Sequence, residues 1–109
     1  MRITITAKHV KVTDKMKDYA REKIERLERY FDRIANISVI LDQHKLDYVC
    51  EINISTDIHH QLTAVVHDRE DMHAAVDLCM DKAHRQLAKL KEKLKGHKGV
   101  TKRQKLGRD

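Results

Sequence analysis

The chain has 109 residues, of which 40% are hydrophobic and 37% charged, and a net charge of +6 at pH 7, so it is long enough for one domain of ordinary size. Three glycines and no proline exclude a collagen-like or linker-rich sequence. No apolar run is long enough for a membrane span, which takes about 20 residues, or for a signal peptide. We therefore expect a soluble cytoplasmic protein with no membrane partner.

The first part of the chain predicts one strand followed by one helix. Residues 3–6 alternate between apolar and polar side chains, which is the pattern of a half-buried strand. Thr13 is a suitable N-cap and Asp14 a suitable first-turn residue for a helix. Beyond them, apolar residues recur every three or four positions as far as Phe31, which predicts an amphipathic helix of about five turns.

Three strands and a second helix are predicted next. Alternation around residues 37–41, 48–54 and 62–66 predicts strands that are joined by short polar connections. Acidic residues then precede the second helix, where they suit the positive end of its dipole. We expect this helix to end near Gly96, in the role of a C′ residue.

The resulting order βαβββα predicts an α+β fold. Its four-stranded, mainly antiparallel sheet would carry both helices on one face and leave the other face polar. Residues 1–95 would form the folded domain. Residues 96–109 show no apolar period, and we expect them to form a basic, disordered tail.

Positive charge is concentrated in the C-terminal quarter of the chain. Residues 1–81 hold 12 basic and 15 acidic side chains, whereas residues 82–108 hold 11 basic side chains and one acidic one. Such asymmetry indicates a polyanionic partner, either nucleic acid or an anionic surface. Composition leaves open the alternative that this segment is only a solvated helix with a basic tail.

A helical projection sharpens this expectation. At about 100° per residue, four cations and one amide of the second helix share an edge about 16 Å long, and its acidic residues lie elsewhere. The first helix differs, because acids such as Glu22 stand four residues from bases such as Arg26 and offset them. We call the uncompensated set the basic edge and expect it to follow RNA phosphates. Its members are Lys82, Arg85, Gln86, Lys89 and Lys93.

Signals for catalysis or metal binding are weak. The chain has no glycine-rich phosphate loop, no G-x-S-x-G and no H-E-x-x-H motif. Cys50 and Cys79 fall on inward-facing positions and are expected in the core. His59 and His60 are adjacent, so their side chains point apart and do not form a zinc site by themselves. We expect a protein that is not an enzyme and has no cofactor, no metal and no small-molecule substrate.

The helices also carry a recognisable pattern. In the second helix, residues 71–77 read DMHAAVD, residues 81–87 read DKAHRQL and residues 89–95 read KLKEKLK. In the first helix, Lys23 is followed by LERYFDRI at residues 27–34. These segments resemble the bacterial ribosome hibernation-promoting factors. That family includes the ribosome-associated inhibitor also called the sigma-54 modulation protein.

The resemblance covers residues 1–95 and implies a fold like that of double-stranded-RNA-binding domains, with an extra first strand. It implies binding to the small ribosomal subunit and its rRNA, in the channel used by mRNA and tRNA. There the factor would block translation and stabilise inactive ribosomes in stationary phase or stress. By position, the implied RNA-binding residues are those of the basic edge, Lys82, Arg85, Gln86, Lys89 and Lys93, with Lys23 and Arg29 from the first helix.

Two departures from the family pattern matter. His73 stands where the family usually has tyrosine, which puts a ring-stacking role at that position in doubt. The chain also ends at Asp109, without the dimerisation domain of the long form. It is therefore expected to be a monomer when free and to need a second small ribosome modulation factor to pair ribosomes. Whether it pairs ribosomes or keeps them as inactive monomers stays open.

Two other classes of function also stay open. The first is a generic structured-RNA-binding module or RNA chaperone that acts away from the ribosome. The second is an interaction protein whose basic edge meets an acidic protein. Sedimentation with purified ribosomes separates the three readings, because only a ribosome-binding factor sediments with the small subunit and competes there with tRNA and mRNA.

Overall fold

The computed structural model describes residues 2–99, and side chains as far as Lys95. The elements follow the predicted order and confirm the α+β fold. They are β1 (Arg2–Lys8), α1 (Asp14–Tyr30), β2 (Ile34–His44), β3 (Asp47–Thr56), β4 (Gln61–Asp68) and α2 (Met72–Gly99).

The four strands form one sheet in the order β1-β2-β3-β4. β1 pairs with β2 in parallel, with Ile3 opposite Ile37, because α1 carries the chain back between them. The β2–β3 and β3–β4 pairs are antiparallel. The sheet is therefore mainly antiparallel, as predicted, and β1 and β4 are its two outer strands.

The core lies between one face of the sheet and the two helices. Alternate residues of β2 and β3, such as Val39 and Ile52, are fully buried, and so are Ile24 of α1 and Leu87 of α2. Burying a side chain of this size contributes about 1.5–3 kcal/mol each. The period of two in the strands and of about 3.6 in the helices thus places both helices on the same face.

Both helices begin at side-chain caps, of which the sequence predicts Thr13 as a cap and only acidic residues before the second helix. The Thr13 hydroxyl accepts a hydrogen bond from the backbone N–H of Met16 at 3.1 Å. The Asp71 carboxylate accepts one from the N–H of Ala74 at 2.6 Å, immediately before α2. Each cap satisfies a backbone donor that has no partner within its helix.

The predicted end of the second helix is wrong. α2 continues through Gly96 to Gly99. No glycine in the part of the chain that the structure describes has a positive φ, so Gly96 does not adopt the left-handed conformation of a C′ residue. A glycine inside a helix costs only about 1 kcal/mol relative to alanine, which is too little to end a long helix alone. Residues 100–109 of the expected tail lie outside the described residues.

No helix within residues 2–99 combines the length and the apolar character that crossing a membrane requires.

Candidate nucleic-acid interface

α2 lies along β4, the outer strand of the sheet, and two members of the basic edge bond to that strand. Lys82 Nζ donates to the backbone carbonyl of Val65 at 3.3 Å. Gln86 Nε2 donates to the backbone carbonyl of Thr63 at 3.0 Å. Outer strands carry backbone groups without a neighbouring strand, and these two side chains provide partners for them. The edge is thus anchored to the sheet over one turn of helix.

The other three members of the basic edge point their charge at solvent. Arg85, Lys89 and Lys93 are exposed. Among the side chains that the structure describes, none of the three has an ion-pair or hydrogen-bond partner. Some basic residues outside α2 do have an acidic partner, as where Arg33 meets Asp57 at 3.0 Å. Positive charge therefore accumulates along this flank of α2.

Sequence reasoning missed a groove beside the basic edge. The groove has a volume of about 550 Å³ and lies between α2 and the turn that joins β3 to β4. The adjacent histidines in that turn were considered only as metal ligands. Nothing in the local sequence indicates that the turn reaches α2. The groove is lined by His60, Leu62, Gln86, Lys89, Leu90, Glu92 and Lys93.

Lys23 belongs to α1 and contacts the flank of α2 opposite the basic edge. Its Nζ is 3.6 Å from an oxygen of Asp77 and 5.3 Å from the centre of the Tyr19 ring. The Tyr19 hydroxyl donates to the same carboxylate at 2.5 Å. This hydrogen bond, with burial, raises the pKa of Tyr19. Lys23 thus has an acidic partner and is not brought together with the basic edge.

Arg29 belongs to a second basic cluster at the C-terminal end of α1. It lines a pocket of about 500 Å³ together with Lys91 and Lys95. Lys91 Nζ donates to the Tyr30 carbonyl at 3.1 Å and lies 4.4 Å from the centre of the Tyr30 ring. Arg29 of α1 therefore lies beside Lys91 and Lys95 of α2 and not beside the basic edge.

His73 is exposed, and its ring contacts another ring of the same chain. Its imidazole centre is 4.9 Å from that of the Tyr19 ring, in a tilted arrangement. His84, three turns further along α2, is placed in the same way, 4.3 Å from the Tyr30 ring. Both contacts join α1 to α2, so the histidine at position 73 has a packing partner on α1.

The cysteines lie in the core, as predicted. Cys50 and Cys79 are fully buried, and the Cys79 thiol donates to the Cys50 carbonyl at 3.3 Å. The hydrogen bond with Cys79 and burial both raise the pKa of the Cys50 thiol. A protonated, buried thiol is a poor nucleophile. Among the described residues, no three His, Cys, Asp or Glu side chains are grouped so that they could hold a metal ion.

Comparison with known proteins agrees with this geometry. The model of the family described as Sigma 54 modulation protein / S30EA ribosomal protein matches residues 3–95. A ribosome hibernation promoting factor of Azotobacter vinelandii is 43% identical over 93 residues, 85% of each chain. That of Escherichia coli strain K12 is 34% identical over 100 residues, 89% of this chain and 100% of the relative. A solved ribosomal subunit interface protein from Coxiella burnetii has a TM-score of 0.77 at 28% identity, over 84% of this chain and 99% of that one.

Proposed function

Because the chain belongs to the Sigma 54 modulation protein / S30EA ribosomal protein family, we propose that it binds the small ribosomal subunit in the channel used by mRNA and tRNA, blocks translation and stabilises inactive ribosomes. Membership confirms the resemblance drawn from the helices. It also confirms the expectation of a ribosome-associated factor that regulates translation and is not an enzyme.

The basic edge is the observation that carries this proposal. Three exposed cations, Arg85, Lys89 and Lys93, follow one flank of α2. The other two members, Lys82 and Gln86, are held against β4 by hydrogen bonds. Attraction to a polyanion adds along such an edge because, among the described side chains, none of the three cations is paired with an acid. Contacts of this kind read the phosphate backbone and its shape rather than base sequence. Folded ribosomal RNA offers phosphates in a fixed arrangement that suits a rigid helix.

The setting of this activity follows from the same proposal. The factor acts in the cytoplasm, is a monomer when free and works in stationary phase or stress, when ribosomes are idle. Paired ribosomes require a second small modulation factor, whereas inactive single ribosomes require this chain alone. A ribosome profile with and without that second factor decides between the two products.

Sedimentation through a sucrose gradient tests the proposal. Wild-type protein should sediment with purified small subunits, and excess tRNA together with mRNA should displace it. The double variant Arg85→Glu, Lys89→Glu should stay at the top of the gradient. Binding to free structured RNA without binding to the subunit would favour an RNA chaperone instead. Binding that tRNA and mRNA do not displace would place the factor outside their channel.

A further inference from the structure

The groove between α2 and the β3–β4 turn has an apolar floor and a basic rim. Leu90 is almost fully buried and Leu62 is half-buried, and both line the groove. Exposed Lys89 and Lys93 stand at its rim, together with one acid, Glu92. Its volume of about 550 Å³ falls within the roughly 300–1,000 Å³ of small-molecule sites. A ligand here needs an apolar surface and flanking negative charge.

The wall of the groove that carries His60 is fixed by hydrogen bonds. The Thr56 side chain is 8% exposed, and its hydroxyl bonds both the N–H and the carbonyl of His60, each at 3.0 Å. The next residue, Asp57, is tied to Arg33 by its side chain at 3.0 Å and by its N–H at 2.9 Å. The turn is therefore ordered before a ligand arrives, which lowers the entropy cost of binding.

The polar groups in the groove are placed for a planar ligand. The hydrogen bond from Gln86 Nε2 to Thr63 orients the amide and leaves its oxygen and one N–H for another partner. The exposed imidazole of His60 lines the same groove and can both donate and accept. A nucleobase presents donors and acceptors along its edge and an apolar face to a floor of leucines.

We propose that this groove receives one unstacked base of ribosomal RNA, with Lys89 and Lys93 on the neighbouring phosphates. The inference rests on the proposed function and deepens it, since the basic edge alone reads only backbone and shape. Charge suits RNA and an acidic peptide alike, but the apolar floor favours RNA because an acidic side chain has no flat face to lay on the leucines. Lys89 and Lys93 form no ion pair with Glu92 in the described structure, so both can meet phosphates on the two sides of one base, and the floor suits a flat apolar ring.

Chemical footprinting of purified small subunits tests the proposal. Dimethyl sulfate and a carbodiimide modify the Watson–Crick edges of unpaired bases, so a base in the groove becomes protected when the protein binds. His60→Ala removes an exposed side chain and leaves the backbone bonds of Thr56 in place. His59→Asn is the matched control, because His59 neighbours it, does not line the groove and has a φ of 65°, which asparagine tolerates.

Wild-type protein and His59→Asn should protect one base that His60→Ala leaves reactive, and the remaining protections should be common to all three. Affinity of His60→Ala should fall about fivefold, the effect of one lost hydrogen bond. Identical footprints for the three proteins would overturn the base site and leave the proposed function intact. Failure of wild-type protein to bind the subunit would overturn both. If wild-type protein protects no base but can be cross-linked to a ribosomal protein, and His60→Ala loses that cross-link, the groove holds a peptide and the base site is wrong.

Discussion

The side-chain amide of Gln86 donates a hydrogen bond to the backbone carbonyl of Thr63 at 3.0 Å, which fastens α2 to the outer strand of the sheet. Lys82 makes a similar bond to Val65 one turn earlier. The basic edge therefore has two kinds of members. Gln86 and Lys82 contact the sheet, whereas the remaining three cations are exposed. Substitutions can separate stability from binding because the two kinds alternate along one helix.

Gln86→Ala should lower the free energy of unfolding by up to about 1 kcal/mol, since it removes one hydrogen bond at a position that water can reach. Lys89→Ala should change it by less than about 0.5 kcal/mol, because Lys89 is exposed and has no partner among the described side chains. Urea unfolding of the two variants measures both effects. An equal loss from both would mean that the Gln86 bond does not hold α2 to β4.

Reversing charge on the basic edge should weaken binding far more than reversing it on α1. We expect Arg85→Glu with Lys89→Glu to raise the Kd for small subunits by about tenfold or more, since each reversed charge would face a phosphate at close range under the proposed function. The control is Arg26→Glu, because Arg26 lies 3.8 Å from Glu22 and is already compensated. Filter binding at one salt concentration compares them. Equal losses from the two variants would contradict a single binding edge.

The Tyr19–Asp77 hydrogen bond should make stability depend on pH above 10. The pKa of Tyr19 is raised in the folded protein, chiefly by this bond, so the folded state holds the phenolic proton more tightly than the unfolded chain. The contribution is complete below the ordinary tyrosine pKa of about 10 and is lost as the pH rises through the higher folded value.

Tyr19→Phe isolates this contribution. Near neutral pH the variant should be less stable than wild type by about 1 kcal/mol, and the difference should shrink as the pH rises beyond 10. Urea unfolding of both proteins across that range gives the difference in the free energy of unfolding at each pH. The pH dependence of all other titrating groups is common to both proteins and cancels in this difference. If the difference in stability stays constant from neutral to alkaline pH, the hydrogen bond to Asp77 does not raise the pKa of Tyr19.

Both cysteines should be unreactive in the native protein. Cys50 and Cys79 are fully buried in the described structure, and the raised pKa of Cys50 keeps that thiol protonated. An aromatic disulfide reagent should label neither in buffer and both in guanidinium chloride. Reducing agents should then leave binding to small subunits unchanged. Rapid labelling in buffer would show that the thiols are reached by local opening of α2 from the sheet.

The sequence predicts those features that depend on periodicity and local caps. The strand alternation around Ile52, the Thr13 cap and the inward phase of Cys79 all follow from neighbouring residues and were confirmed. Gly96 was misread because residue type alone does not show whether a glycine adopts positive φ. Where a helix ends depends on the summed helix propensity and packing of all its residues, which a single residue does not reveal.

Contacts between distant segments were beyond the reach of sequence patterns. Helical projection placed Lys89 on a basic edge, but it did not show that Gln86 would meet a strand 23 residues earlier. The pairing of Lys23 with Asp77 depends in the same way on how α1 packs against α2. The groove at His60 needs both the turn and α2, so only the assembled fold reveals it.

The salt dependence of binding to small subunits, compared between Lys89→Met and Lys91→Met, tests the central claim most directly. Both changes remove one lysine charge from α2, two residues apart. Lys89 is on the basic edge, whereas Lys91 is bonded to the Tyr30 carbonyl on the other flank. The slope of log K against log salt should fall in magnitude by about 0.7–0.9 for Lys89→Met and stay at the wild-type value for Lys91→Met. Equal slopes for the two variants would contradict binding through the basic edge.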